Sequence, residues 1–219
     1  EEPAEQRKPF ALPPAHTDMR RVYAYLLQSR CIDRDVLTEF ARAGLIFESA
    51  EPSADKTKIY HNAVFVGNDE HGVARHGHKR SIYTSGKSYR GNIESSDPRY
   101  SFHWVGVSDQ LYMFEAPIDL LSYISLHPQN WKNASYVALN GVSEQPVLKL
   151  LELYPQLQRV TLCLDNDEAG HKAASRIHKT LKEQGFEDVV YDISAHKDWN
   201  DDLKAVCLQE QTTPAMVMR

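Results

Sequence analysis

From Gln110 to Gln209 the chain alternates short apolar runs with longer amphipathic ones, and no other feature of the sequence constrains its fold so tightly. QLYMFEA reads as a strand ending in an acid. PIDLLSYISLH reads as a helix with Pro117 in its first turn. SYVALNGV is a strand ending at Asn140-Gly141, and SEQPVLKLLELYP is a helix. QRVTLCLDNDEAG is a strand ending in acids and a glycine, HKAASRIHKTLKEQG a helix closed by Gly185, EDVVYDIS a strand, and HKDWNDDLKAVCLQ a loop entering a helix. This β-α-β-α-β-α-β-α rhythm predicts an α/β fold, a parallel sheet flanked by helices.

The first half has a different texture. Residues 1–17 are charged and Pro-rich, read as a linker, and lack an initiator Met, so the sequence is expected to be a piece of a longer protein. VYAYLLQS (22–29) has apolar residues at helical spacing. Asp33 to Ala43 reads as a second helix, with Asp33 as N-cap and Gly44 as C-cap. Ile59–Val66 is rich in β-branched and aromatic residues, Asn68 to Gly72 is a turn, and the chain returns from Val73. SYRGNIESSDPRYSFHWVGV adds short strands with turns at Gly91 and Asp97-Pro98. The expected organisation is a linker (1–17), a smaller α+β domain with an antiparallel sheet (18–107), the α/β domain (108–207) and a tail (208–219). No similarity recurs at a period of 20 to 50 residues, which excludes a solenoid.

No apolar run reaches the length of a membrane span, and the N-terminus lacks the apolar core of a signal peptide, so cytoplasmic residence is the expectation. Cys31, Cys163 and Cys207 are far apart in sequence and suggest neither a disulfide framework nor a zinc cluster. His71, His76 and His78 have no cysteine nearby and read as a solvated polar loop rather than a zinc site. Net charge is -5. Basic and acidic residues balance over 1–110, so the acidic excess lies entirely in 111–219. Basic residues of the first half cluster at Arg20-Arg21, at His78-Lys79-Arg80 and at Lys87 with Arg90, which admits a local basic groove.

Ligands of open α/β sheets bind beyond the C-terminal ends of the strands, and the acids fall there. Glu115 ends the first strand, Asp165 and Asp167 end the third, and Asp198, Asp201 and Asp202 follow the fourth. In an extended Asp-Asn-Asp, side chains two apart point the same way. Paired carboxylates repel unless a cation neutralises them, and a hard ion such as Mg²⁺ takes oxygen ligands. Each piece also has a plainer reading. Asp-x-Asp is common in surface loops, Glu115 can complement a helix dipole, and KDWNDD can be a solvated helix N-terminus. Their order and shared topological location favour a site.

The runs LYMFEAPIDLLSY, ALNG, VTLCLDNDEAG and HKDWNDDL resemble the Toprim domain shared by DnaG-type bacterial primases, topoisomerases, certain nucleases and recombination mediators. Glu115, Asp165 and Asp167 match the family's acids. Asp119 matches an acid one turn after the primase Glu. Asp198 matches more loosely, because Trp199 and Asn200 stand where primases usually carry Pro. VYAYLLQSRCIDRDVLTEFARAGLIF resembles the start of the primase core, with Cys31 in place of a Gly, and NAVFVGNDEHGVARHGHKR resembles the hairpin that follows. The whole is most like uncharacterised Toprim proteins of conjugative and other mobile elements, in which a small domain of unknown function precedes the Toprim domain. The primase zinc ribbon and helicase-binding domain have no counterpart in this sequence.

The resemblance implies metal-dependent chemistry on nucleic-acid phosphodiesters. Asp165 and Asp167 would hold Mg²⁺ (or Mn²⁺) with Asp198, while Glu115 would share the metal or act as general acid or base. Asp119, Gly170, Lys197 and Asp201 are the expected supporting residues. Lys79, Arg80, Lys87 and Arg90 would line the path of nucleic acid, expected to be single-stranded DNA, with NTPs as further ligands. Replication or conjugation proteins are the expected partners. Tyr83, Tyr89, Tyr100, Phe102 and Trp104 would either stack bases or fill the core, and Trp199 would anchor its loop. Primase-like nucleotidyl transfer leads; a Toprim nuclease and a non-catalytic DNA- or protein-binding module are the alternatives.

Overall fold

In the computed structural model, which describes residues 8–53, 55–83, 89–141 and 143–212, the chain forms two sheets. The first is antiparallel, with β1 (Ile46–Pro52), β2 (Ile59–Asn68), β3 (Ala74–Ser81) and β4 (Arg90–Asn92) in sequence order. The second comprises β5 (His103–Trp104), β6 (Gln110–Phe114), β7 (Ser135–Ala138), β8 (Arg159–Leu162) and β9 (Asp188–Tyr191), in the order β5-β7-β6-β8-β9. β6 to β9 are parallel, and β5 runs antiparallel to β7 at one edge. This is an α/β arrangement on a mainly parallel sheet, with a smaller antiparallel unit before it.

The helices are α1 (Arg20–Ala24), which continues into a π-helical turn (Tyr25–Ser29), α2 (Arg34–Arg42), α3 (Pro117–Leu126), α4 (Gln145–Leu153), α5 (Glu168–Glu183) and α6 (Trp199–Thr212). Local chemistry sets several boundaries. The Asp33 carboxylate accepts from the N–H groups of Asp35 (2.8 Å) and Val36 (3.0 Å), satisfying donors that the first turn of α2 leaves free. Gly44 ends α2 at φ +71°, in the left-handed region that glycine enters without steric cost.

Side chains alternate across the parallel sheet. Leu111, Met113, Val137 and Val160 pack with Val147 of α4 and with Ile177 and Leu181 of α5. Phe114 and Ala138 face the other way, toward Leu120, Leu121 and Ile124 of α3 and Trp199 and Leu203 of α6. That second core continues into the N-terminal unit through Leu26, Phe40 and Phe65, and Phe40 stacks on Trp131 with ring centroids 5.5 Å apart. The two sheets therefore share a hydrophobic core.

Several expectations meet a different structure. Residues 46–52, which carry no strand signal, form β1. The strand at 103–104 joins the parallel sheet rather than the antiparallel one. Part of the expected linker lies along β1: Ala15 bridges Ser49, and the His16 N–H donates to the Glu48 carbonyl at 2.7 Å. His76 and His78 are buried on β3 instead of occupying a solvated loop, and burial pushes His76 down to about 4, so it is neutral. Cys31 and Cys207, far apart in sequence, are brought together by the packing of the α1–α2 connection on α6, and burial first, then Cys207, pushes the Cys31 thiol up to about 11. Among the described residues no helix is long and apolar enough to cross a membrane.

Candidate active site

β6 and β8 are neighbours, but the chain leaving them diverges. α3 follows β6 onto one face of the sheet, and α5 follows β8 onto the other. Such a switch point opens a crevice beyond the strand ends. Glu115 is the first residue after β6, and Asp165 and Asp167 lie in the β8–α5 connection. Asp198 directly precedes α6.

Hydrogen bonds hold the acidic loops together. The Asn166 N–H donates to the Lys197 carbonyl at 2.7 Å, and its side-chain amide donates to the Ser194 carbonyl at 2.9 Å. Trp199 anchors its loop as expected, its indole N–H reaching the Cys163 carbonyl at 3.0 Å. Asp167 caps α5 by accepting from the Gly170 N–H at 2.9 Å, and Asp198 caps α6 by accepting from the Asp201 N–H at 2.8 Å. Asp202 closes the loop, accepting from the N–H groups of Ala195 (2.8 Å) and His196 (2.7 Å).

The electrostatics are those of crowded carboxylates. Burial, then the charges of Glu115, Asp198 and Asp167, push Asp165 up to about 7, with Lys197 opposing. Burial and Asp167 raise Glu115 against Arg90 and Lys197. Asp119 is buried in α3, and burial with Asp198 and Asp165 holds its carboxyl well above the usual range. Asp167 is lowered, first by the Gly170 N–H. The Lys197 ammonium stands 3.8 Å from Asp167. Asp165 Oδ1 is buried and has no hydrogen-bond partner among the described residues.

The expected site residues divide by place. Glu115, Asp119, Asp165, Asp167, Asp198 and Lys197 influence one another at one rim of the sheet. Asp201 instead pairs with Lys204 at 3.3 Å. Among the described residues, no three of these carboxylates bring an oxygen each within 4.8 Å of one another, an arrangement that like charges favour. Gly170 does not form a turn. It lies in the first turn of α5, where a Cβ would overlap the Asp165 carbonyl oxygen, so its role is close approach.

The antiparallel unit supplies part of the rim. Arg80 and Arg90 oppose the shifts of Asp119 and Glu115, respectively. The Lys79 ammonium is engaged by Glu51 at 2.8 Å, and Lys87 lies outside the described residues. Tyr83 and Tyr89 are exposed, whereas Phe102 is fully buried and Trp104 packs on Phe40 and Trp131. Arg30 and Asn200, neither of them an expected site residue, join the N-terminal unit to α6. Arg30 donates to the Asn200 side chain at 3.2 Å, and the Asn200 amide donates to the Arg30 carbonyl at 2.8 Å and to Ser122 Oγ at 2.9 Å. Both residues lie in the quoted runs YLLQSRCI and HKDWNDD, so the signal was present in the motifs.

The Toprim-like family matches residues 112–203, and the fold of that part of the chain is the Toprim fold. The segment before it, residues 24–108, matches a family described as a protein of unknown function, DUF3991. The uncharacterized protein pXO2-78 of Bacillus anthracis is 29% identical over 211 residues, covering 87% of this chain and 59% of that protein. The chain thus spans about three fifths of that relative's length. The primase fragment of the bacteriophage T7 primase-helicase protein superposes with a TM-score of 0.62 at 18% identity, covering 85% of this chain and 73% of that one. The Escherichia coli primase catalytic core gives 0.58 at 15% identity, over 85% and 69%. At these identities the likeness is one of fold.

Proposed function

We propose that the crevice between β6 and β8 performs metal-dependent chemistry on nucleic-acid phosphodiesters, in the form of primase-like nucleotidyl transfer. The observation that carries this reading is the buried Oδ1 of Asp165, which has no partner among the described residues and lies among Glu115, Asp167 and Asp198. A buried carboxylate oxygen without a partner is costly unless a cation supplies one. An all-oxygen donor set suits a hard divalent ion, Mg²⁺ or Mn²⁺, which needs only a few protein carboxylates beside phosphate and water.

Asp165 and Asp167 would hold the ion, with Asp198 and Glu115 contributing. The ion would supply charge neutralisation at the phosphate oxygens. Glu115, its carboxyl raised by burial and by Asp167, would be a stronger base than an ordinary carboxylate when ionised and is suited to take the proton of the attacking hydroxyl. Asp119, buried in the first turn of α3, would support the site from behind. Arg80 and Arg90 would draw the phosphates of single-stranded DNA or an NTP to the rim. The setting would be cytoplasmic, within a mobile element and alongside its replication or conjugation proteins.

The test is incubation of the intact chain with a single-stranded template, NTPs and Mg²⁺ or Mn²⁺, beside Asp165→Asn/Asp167→Asn. Metal-dependent products that lengthen and vanish in the variant support the proposal. Shortening of the strand without NTPs assigns a nuclease. DNA binding that persists in chelator and in the variant, without turnover, assigns a binding module.

A further inference from the structure

A second cluster of metal-ligating groups lies in the antiparallel unit. Glu48 of β1 pairs with Ala63 of β2, which makes His61 its diagonal neighbour on the same face. His16 arrives from the segment that runs along β1. Each of the three offers a ligand atom, and these atoms all lie within 4.8 Å of one another. The Glu48 side chain is wholly inaccessible, and those of His61 and His16 are 10% and 25% exposed. His61 Nδ1 is 2.6 Å from Glu48 Oε1, and the two imidazoles meet edge to face at 5.0 Å.

We propose that His16, Glu48 and His61 form a binding site for a zinc-class divalent transition metal. Two imidazoles and one carboxylate are a recurrent three-ligand set for zinc, with the fourth position left to water. Imidazole favours such ions over Mg²⁺, so this site and the acidic crevice select different metals. Tetrahedral ligands at zinc distances lie about 3.4 Å apart. The cluster therefore closes by lengthening the His61–Glu48 contact and drawing His16 inward. The partial exposure of His16 leaves one side open to water. Glu48 also accepts from the Val22 N–H at 3.2 Å, which fixes its orientation. The Arg21 guanidinium, 3.5 Å from Glu48, competes for the carboxylate, but its side chain is 54% exposed and can swing into solvent. Asp18, 3.8 Å from His16, lies beside it as a further acid. A bound ion would pin the N-terminal segment to the edge of the sheet.

The test is calorimetric titration of Zn²⁺ into the intact chain, His16→Ala, His61→Gln and Asp165→Asn/Asp167→Asn. Co²⁺ absorption provides a second readout of imidazole ligation. The expected result is one tight Zn²⁺ equivalent in the wild type and in the double Asn variant, weakened at least about tenfold in both histidine variants. His16→Ala alters a partly exposed residue, so it decides the matter even where His61→Gln folds poorly. Absence of Zn²⁺ binding, or binding that survives His16→Ala and disappears from the Asp165/Asp167 variant, overturns the proposal.

Discussion

The amide of Asn166 donates to the carbonyl of Lys197 at 2.7 Å, tying the Asp-Asn-Asp loop backbone to backbone to the loop that carries Asp198. Two acidic loops whose carboxylates repel one another are thereby held on one rim. The Asn166 side chain adds two braces, to the Ser194 carbonyl (2.9 Å) and to His171 Nε2 (2.9 Å). Asn166→Ala keeps the backbone tie and removes both. The expected cost is about 1–2 kcal/mol of stability. Activity should fall about tenfold or more, as it does when groups supporting metal ligands are lost. Thermal unfolding and primer extension on the same preparation measure the two effects.

Gly170 gives a test whose sign is informative. In an ordinary helix Gly→Ala stabilises by up to about 1 kcal/mol. Here the new methyl would overlap the Asp165 carbonyl oxygen, which belongs to backbone and cannot rotate away. Gly170→Ala should therefore destabilise by about 1–3 kcal/mol and move Asp165. A stabilised variant with unchanged activity would show that the close approach is dispensable.

The acids should also make stability depend on pH. Asp165 rises from 3.8 to about 7 in the folded chain. A raised carboxyl pKa means that the folded state holds more protons than the unfolded one between those values. Stability contributed by this group is therefore greatest at low pH and declines as pH rises from about 4 to about 7. Partial solvent access reduces the effect to about 1–2 kcal/mol. In chelator, the melting temperature should fall between pH 5.5 and 8. Asp165→Asn should flatten that fall, and Mg²⁺ should restore wild-type stability at pH 8 and not the variant's. A flat profile in the wild type would contradict the crowding.

Much of this architecture was legible because its signals are local. The Asp33 cap, the strand–helix alternation from Gln110 and the acids at strand ends are each read within a few residues. What escaped depends on distant packing. β1 contains Glu48 at a buried position, where His61, His16, Arg21 and the Val22 N–H surround its carboxylate. His76 and His78 look polar in sequence yet lie on a strand covered on both sides. The Arg30–Asn200 bonds join residues 170 apart, and the Cys31–Cys207 contact likewise spans the chain. No periodicity encodes such pairs. The acids were read from their order at the strand ends, but spacing does not reveal that, among the described residues, no three of them bring an oxygen each to one point.

The basic residues of the antiparallel unit should differ in their effect on nucleic-acid binding. Lys79 is held by both Glu51 oxygens (3.0 and 2.8 Å), so its charge is largely compensated. Arg80 and Arg30 instead donate Nε–H to a single neutral acceptor, the Tyr25 hydroxyl, at 3.0 and 2.9 Å. That phenol orients two guanidinium groups without neutralising either, and Arg80 lies close enough to the crevice to oppose the shift of Asp119. Arg80→Ala should weaken binding of single-stranded oligonucleotides of any sequence and lower the slope of log K against log salt by about 0.7, the value for one phosphate contact on a single strand. Lys79→Ala should leave that slope nearly unchanged. Tyr25→Phe keeps both charges but removes the shared acceptor that orients them, leaving Arg30 its bond to Asn200, so affinity should drop while the slope holds. Fluorescence anisotropy over a salt series separates the three, and equal slopes for wild type and Arg80→Ala would remove Arg80 from the nucleic-acid path.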